Sequence, residues 1–119
     1  MKKIFITGII LLASASSMIA NPVRGTLVSD GVVHGYSNKV FYETLYANET
    51  TNIDLIGDCA PGQDIDLWVY DENDNLVEKS TSLGCYESVN IDPAWTGSFK
   101  IVVENSNHPF DTVFTIKAY

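Results

Sequence analysis

The sequence predicts a small all-β protein, an antiparallel sandwich, and three observations predict it. Short runs of residues alternate apolar and polar with a period of two, residues that favour turns separate them, and no stretch carries a helical period of useful length. Turn signals at this spacing imply two packed layers of seven to eight strands, a jelly-roll-like arrangement.

The elements follow in chain order. Met1 to Ala20 opens on Lys2 and Lys3, continues through the apolar run Ile4 to Leu12 and ends in small residues before Asn21 and Pro22. This is the pattern of a secretory signal peptide, and the run is well short of the ~20 apolar residues that span a bilayer. Ala20 offers one cleavage point and the small pair Ala13 and Ala15 another, so the exact cut stays open. The remainder, 21–119, is the length of one domain. Asn21 to Tyr36 is irregular, with an edge strand expected around Thr26 to Val28. Val40 to Tyr46 reads as a strand whose inward side is ambiguous, because Glu43 interrupts Phe41 and Leu45.

Ile53 and Leu55, then Ile65, Leu67 and Val69, then Phe99, Ile101 and Val103, then Phe114, Ile116 and Ala118 give four core-facing sets. The intervening Ala60-Pro61-Gly62, Asp71 to Asn75, Ser82 to Gly84, Asp92 to Gly97 and Asn105 to Pro109 are rich in turn formers.

Charge and thiols narrow the setting. With Lys2 and Lys3 removed, 15 acidic residues face five basic ones, a net charge of −10. That repels nucleic acid and acidic headgroups, so neither nucleic-acid binding nor membrane insertion after leader cleavage is expected. Cys59 and Cys85 are the only cysteines, and in the oxidising periplasm or extracellular space a bridge between them is the expected state.

From about Val33 onward the chain resembles the bacterial pre-peptidase C-terminal (PPC) domain family. The carriers are Gly57-Asp58, the acidic and aromatic run Asp64-Ile65-Asp66-Leu67-Trp68-Val69-Tyr70-Asp71, Asn75-Leu76-Val77, Tyr86 to Val89, and Pro93 to Val103, with Phe99 where the family usually has Tyr. The resemblance implies a sandwich with a non-catalytic accessory role, and for some members calcium support.

Candidate sites each have two readings. Asp58, Asp64 and Asp66 collect hard oxygen ligands suited to Ca²⁺, the one cofactor the sequence suggests. The same carboxylates also cap turns and strand ends through backbone amides. Asp71-Glu72-Asn73-Asp74-Asn75 begins like an EF-hand loop, but Leu76 stands where glycine is needed and Ser82 where a bidentate Glu is needed, so a hairpin turn is expected. Trp68 and Tyr70 lie opposite the Leu67 and Val69 face and would form an aromatic strip if that face is solvated. Trp95, after Pro93, reads as a plug over one end of the core.

His34 and His108 sit in loop-like stretches without a nucleophile elbow or metal-hydrolase spacing, and no enzyme is expected. The reading is a secreted or periplasmic binding module for an extracellular polysaccharide, matrix protein or other protein surface. Its alternative is a structural or assembly subunit with an envelope or secretion partner.

Overall fold

The computed structural model describes Leu27 to Tyr119. The leader segment 1–20, residues 21–25 and the Thr26 start of the expected edge strand lie outside the described residues. Eight strands follow: β1 (Leu27–Val33), β2 (Ser37–Leu45), β3 (Thr51–Asp58), β4 (Asp66–Tyr70), β5 (Leu76–Ser80), β6 (Tyr86–Ile91), β7 (Gly97–Asn105) and β8 (Thr112–Ala118). They form two four-stranded sheets in the orders β1-β8-β3-β6 and β2-β7-β4-β5, every described pairing antiparallel. Only β4 and β5 are joined as a hairpin within one sheet, since the other connections cross to the opposite layer. Two four-stranded sheets with this strand order make a jelly roll.

Alternation explains the layering. The four sets Ile53 and Leu55, Leu67 and Val69, Phe99 to Val103, and Phe114 to Ala118 all point between the sheets and are buried, and Ile65 joins them from the residue ahead of β4. The ambiguous segment resolves as β2 with Phe41, Glu43 and Leu45 turned toward the core and Tyr42 outward. Leu45 is fully buried and Phe41 meets Phe114 edge-on at 6.0 Å between ring centroids. Glu43 is the exception on this inward side, and the burial that places it beside these neighbours raises its carboxyl pKa.

The N-terminal strand is longer than expected. It runs to Val33 because it pairs with β8 along its whole length, from Leu27 opposite Ala118 to Val33 opposite Thr112. Gly31 faces Phe114 there, and a Cβ at Gly31 would come within 2.8 Å of that ring.

The two ends of the sandwich differ. One end gathers the loops β1–β2, β3–β4, β5–β6 and β7–β8, and the Cys59–Cys85 disulfide ties the second of these to the third, with Cα atoms 6.2 Å apart. Asn105, fully buried, holds this end by donating from Nδ2 to the carbonyls of Val33, His34 and Phe110. At the opposite end Trp95 stacks on Phe99 at 6.2 Å, as the plug reading expected.

Candidate functional site

Two features stand out on this scaffold, an acidic cluster at the disulfide end and an aromatic face on one sheet. The cluster is set by three local facts. Asp64 and Asp66 flank Ile65, whose side chain is buried in the core and whose amide donates to the carbonyl of Gly84 at 3.1 Å. This anchors both aspartates to the β5–β6 loop. Glu87 lies on β6 at an inward position shared with Val89 and Ile91, and is only 1% exposed.

Ligand-capable oxygens of Asp64, Asp66 and Glu87 all lie within 4.8 Å of one another. Glu87 Oε1 accepts hydrogen bonds from Ser80 Oγ (2.5 Å), Ser82 Oγ (2.8 Å) and the Ser82 amide (3.2 Å). Its other oxygen, Oε2, is buried without a hydrogen-bond partner, as are Asp64 Oδ1 and Asp66 Oδ1. At an effective dielectric near 20, two unit charges about 5 Å apart repel by about 3 kcal/mol. Among the described residues no lysine bridges to any of the three.

The titration behaviour follows. Burial first, then the charges of Asp64, Glu87 and Glu104, push Asp66 up to about 6. Burial and Glu87 raise Asp64 as well, against the opposing pull of the Gly84 amide and of His108. The His108 effect places that ring close to the cluster. His108 Nδ1 accepts from the Phe110 amide at 3.2 Å, and its Nε2 is a buried atom without a hydrogen-bond partner.

The sequence-predicted residues separate here. Asp64 and Asp66 converge, but Asp58 ends β3 on the surface and is outside the three-carboxylate group. Glu87 takes the third place. It was visible in the sequence only as a charge at an inward position of the Tyr86 to Val89 run, and its partners Asp64 and Asp66 come from a segment some twenty positions earlier. The EF-hand-like segment forms a hairpin turn: Asp71 Oδ1 accepts from the amides of Asn73 (2.8 Å) and Asn75 (2.9 Å), while Asp74 takes a φ of 62°. These bonds, led by the one from Asn75, lower the Asp71 carboxyl below its ordinary range.

The aromatic face is the outer side of the β2-β7-β4-β5 sheet. Register places Tyr42, Lys100 and Tyr70 in one rank across three strands, and Val40, Val102, Trp68 and Lys79 in the next rank across four. Trp68 and Tyr70 are half-buried, and each carries a lysine ammonium over its ring, Lys79 at 5.2 Å and Lys100 at 5.0 Å. Trp68 Nε1 donates to Glu104 Oε1 at 3.0 Å, and Lys100 also pairs with Asp74 at 2.8 Å. Beside Tyr70 runs a shallow groove of about 290 Å³ lined by Tyr42, Asp71, Glu72, Asp74, Ser98 and Lys100.

The fold and this pair of features define an eight-stranded jelly-roll module. No family model and no curated protein matches the chain. Among solved structures, the fold is similar to that of the pre-peptidase C-terminal domain of collagenase from Bacillus anthracis, with a TM-score of 0.61 over 79% of this chain and 89% of that chain at 14% sequence identity. The likeness is one of fold, and it agrees with the sandwich that the sequence predicts.

Proposed function

We propose that this chain is an exported, non-catalytic module that binds an extracellular polysaccharide across the outer face of the β2-β7-β4-β5 sheet. The observation that carries the reading is the cross-strand rank Tyr42, Lys100, Tyr70 beside Trp68, with a groove of about 290 Å³ at its edge. Planar rings stack on the apolar faces of sugar rings, and the carboxylates of Glu72 and Asp74 with the hydroxyls of Tyr42 and Ser98 suit a ligand rich in hydroxyl groups. The lysines that cover Trp68 and Tyr70 must swing aside for stacking, at a cost of about 0.5–1 kcal/mol each. The jelly-roll fold and the disulfide between Cys59 and Cys85 support export and an accessory role.

Affinity electrophoresis against a panel of soluble polysaccharides tests the proposal. Retardation by at least one glycan should be lost in Trp68→Ala and Tyr70→Ala and kept in Tyr86→Ala, whose ring is exposed on the outer face of the opposite sheet. A panel without retardation, or equal loss in the Tyr86 variant while it remains folded, removes the reading.

A second reading, an assembly subunit of an envelope complex, rests on the opposite sheet. Val32 pairs with Val113 and Ile56 with Tyr86 in the strand register, and all four side chains are exposed on its outer face. It predicts co-purification with an envelope protein from the native host, and recovery solely as a free monomer counts against it.

A further inference from the structure

The geometry points to a divalent-cation site at the disulfide end, built from Asp64, Asp66 and Glu87 and suited to Ca²⁺. It is separate from the polysaccharide reading and does not depend on it.

Three acidic residues near one another are a common surface feature and would signify little alone. What distinguishes this group is Glu87. It is 1% exposed, sits on an inward position of β6, has one oxygen with no hydrogen-bond partner, and brings a carboxylate oxygen within 4.8 Å of both aspartates. Ser80 and Ser82 saturate its other oxygen with three hydrogen bonds, which fixes the side chain and leaves Oε2 as the acceptor with unused capacity. One oxygen of each aspartate is likewise buried and unpartnered. A buried, rigidly held carboxylate with unmet acceptor capacity is a group that a cation satisfies and an apolar filling does not.

The donor set selects the ion. All three ligand groups are hard carboxylate oxygens, which suits Ca²⁺ and Mg²⁺ and disfavours soft or nitrogen-seeking metals. The thiols that would draw Zn²⁺ are joined in the disulfide, and His108 Nδ1 is occupied by the Phe110 amide. His108 stands at the rim, outside the group of ligand atoms. Oxygens that all lie within 4.8 Å of one another fit around Ca²⁺, whose bonds of ~2.3–2.6 Å let two ligands stand up to about 5 Å apart. Mg²⁺ demands near-ideal octahedral geometry at ~2.0–2.1 Å and sheds its water reluctantly, so a site of fixed carboxylates favours Ca²⁺. Asp58 takes no part, since it is exposed at the end of β3 and outside the group.

The placement gives the ion a role. Asp64 belongs to the β3–β4 connection, Asp66 opens β4 in one sheet, and Glu87 lies on β6 in the other. An ion here clamps the two layers beside the disulfide that already ties their loops.

The test is calorimetric titration of the purified, oxidised, EDTA-treated chain with CaCl₂ and with MgCl₂, and thermal melts at matched ion concentrations. Ca²⁺ should bind with one-to-one stoichiometry, more tightly than Mg²⁺, and at saturation raise Tm by about 5 °C or more. Asp66→Asn should weaken Ca²⁺ binding tenfold or more. Glu87→Gln should do the same where circular dichroism shows it folded, and Asp58→Asn should leave affinity within twofold of the parent. Absence of binding heat together with an unchanged melt overturns the site. So does an Asp66→Asn protein that still binds Ca²⁺ as tightly as the parent, or an Asp58→Asn protein that loses binding.

Discussion

Glu43 shows how a single residue can set a pH dependence. Its neighbours on the inward side of β2 are Phe41 and Leu45, and across the register it faces Phe99. Burial raises its carboxyl above the ordinary value of 4.5. An acid with a raised pKa holds its proton more tightly in the folded state, so folding gains from the protonated form and loses as the group ionises. Glu43 therefore costs nothing below the unfolded value, and its penalty grows as pH climbs from there through the raised folded value. Glu43→Gln should raise Tm by a few degrees at pH 7, and the gain should vanish by about pH 4. Melts at the two pH values check this, and an equal gain at both would mean that the charge is not the cause. Asp71 acts in the opposite sense. Its carboxylate collects two backbone amides and the Asn75 side-chain amide, so Asp71→Ala should lower Tm by several degrees and loosen the β4–β5 turn, read as faster amide exchange at Asn73 and Asn75.

At the scale of elements, the disulfide carries the clearest prediction. It joins residues 26 positions apart, and a closed loop of that length stabilises by roughly 3 kcal/mol on the chain-entropy account. At about 4–8 °C per kcal/mol for a domain near this size, the Cys59→Ser, Cys85→Ser double variant should melt more than 10 °C lower. Gly57 explains why the bridge sits so close to the core. Its amide donates to the Cys85 carbonyl at 2.7 Å, and a Cβ there would meet Ile65 Cδ1 at 2.7 Å and Cys85 Cβ at 3.0 Å.

Strands with strict alternation were legible from sequence, because Phe99, Ile101 and Val103, like Phe114, Ile116 and Ala118, fall on one face, with Val102 the one apolar residue of these two runs on the other. Strand β1 was legible only at its start, since Ser29, Asp30 and Gly31 break the pattern and its strandedness comes from pairing with β8. The inward side of β2 was hidden for a related reason, as Glu43 occupies a position that the pattern reserves for an apolar residue. Local spacing found Asp64 and Asp66 two apart on one strand entrance. Glu87 reaches them only because β6 and β4 belong to opposite sheets that fold together, a long-range fact that no local motif encodes.

For the molecule as a whole, connectivity decides how it unfolds. Apart from the β4–β5 hairpin, each strand's successor lies in the other sheet, and both central partners, β7 and β8, come last in the chain. Each sheet is therefore completed only by one of the last two strands. In the first, β8 must insert between β1 and β3, and in the second β7 must insert between β2 and β4. The buried aliphatic and aromatic side chains that stabilise each layer face the opposite layer, so a lone sheet would leave its apolar side in water. Non-local pairing of this kind makes folding slow, in the millisecond-to-second range for all-β domains, and makes it cooperative. The prediction is a single urea transition. Far-UV circular dichroism reports the strands of both sheets, and tryptophan fluorescence reports Trp68 on the outer face of one sheet and Trp95 at the end of the core. The two signals should give the same midpoint within error. Separated midpoints would mean that one layer persists without the other, and would require the sheets to have cores of their own.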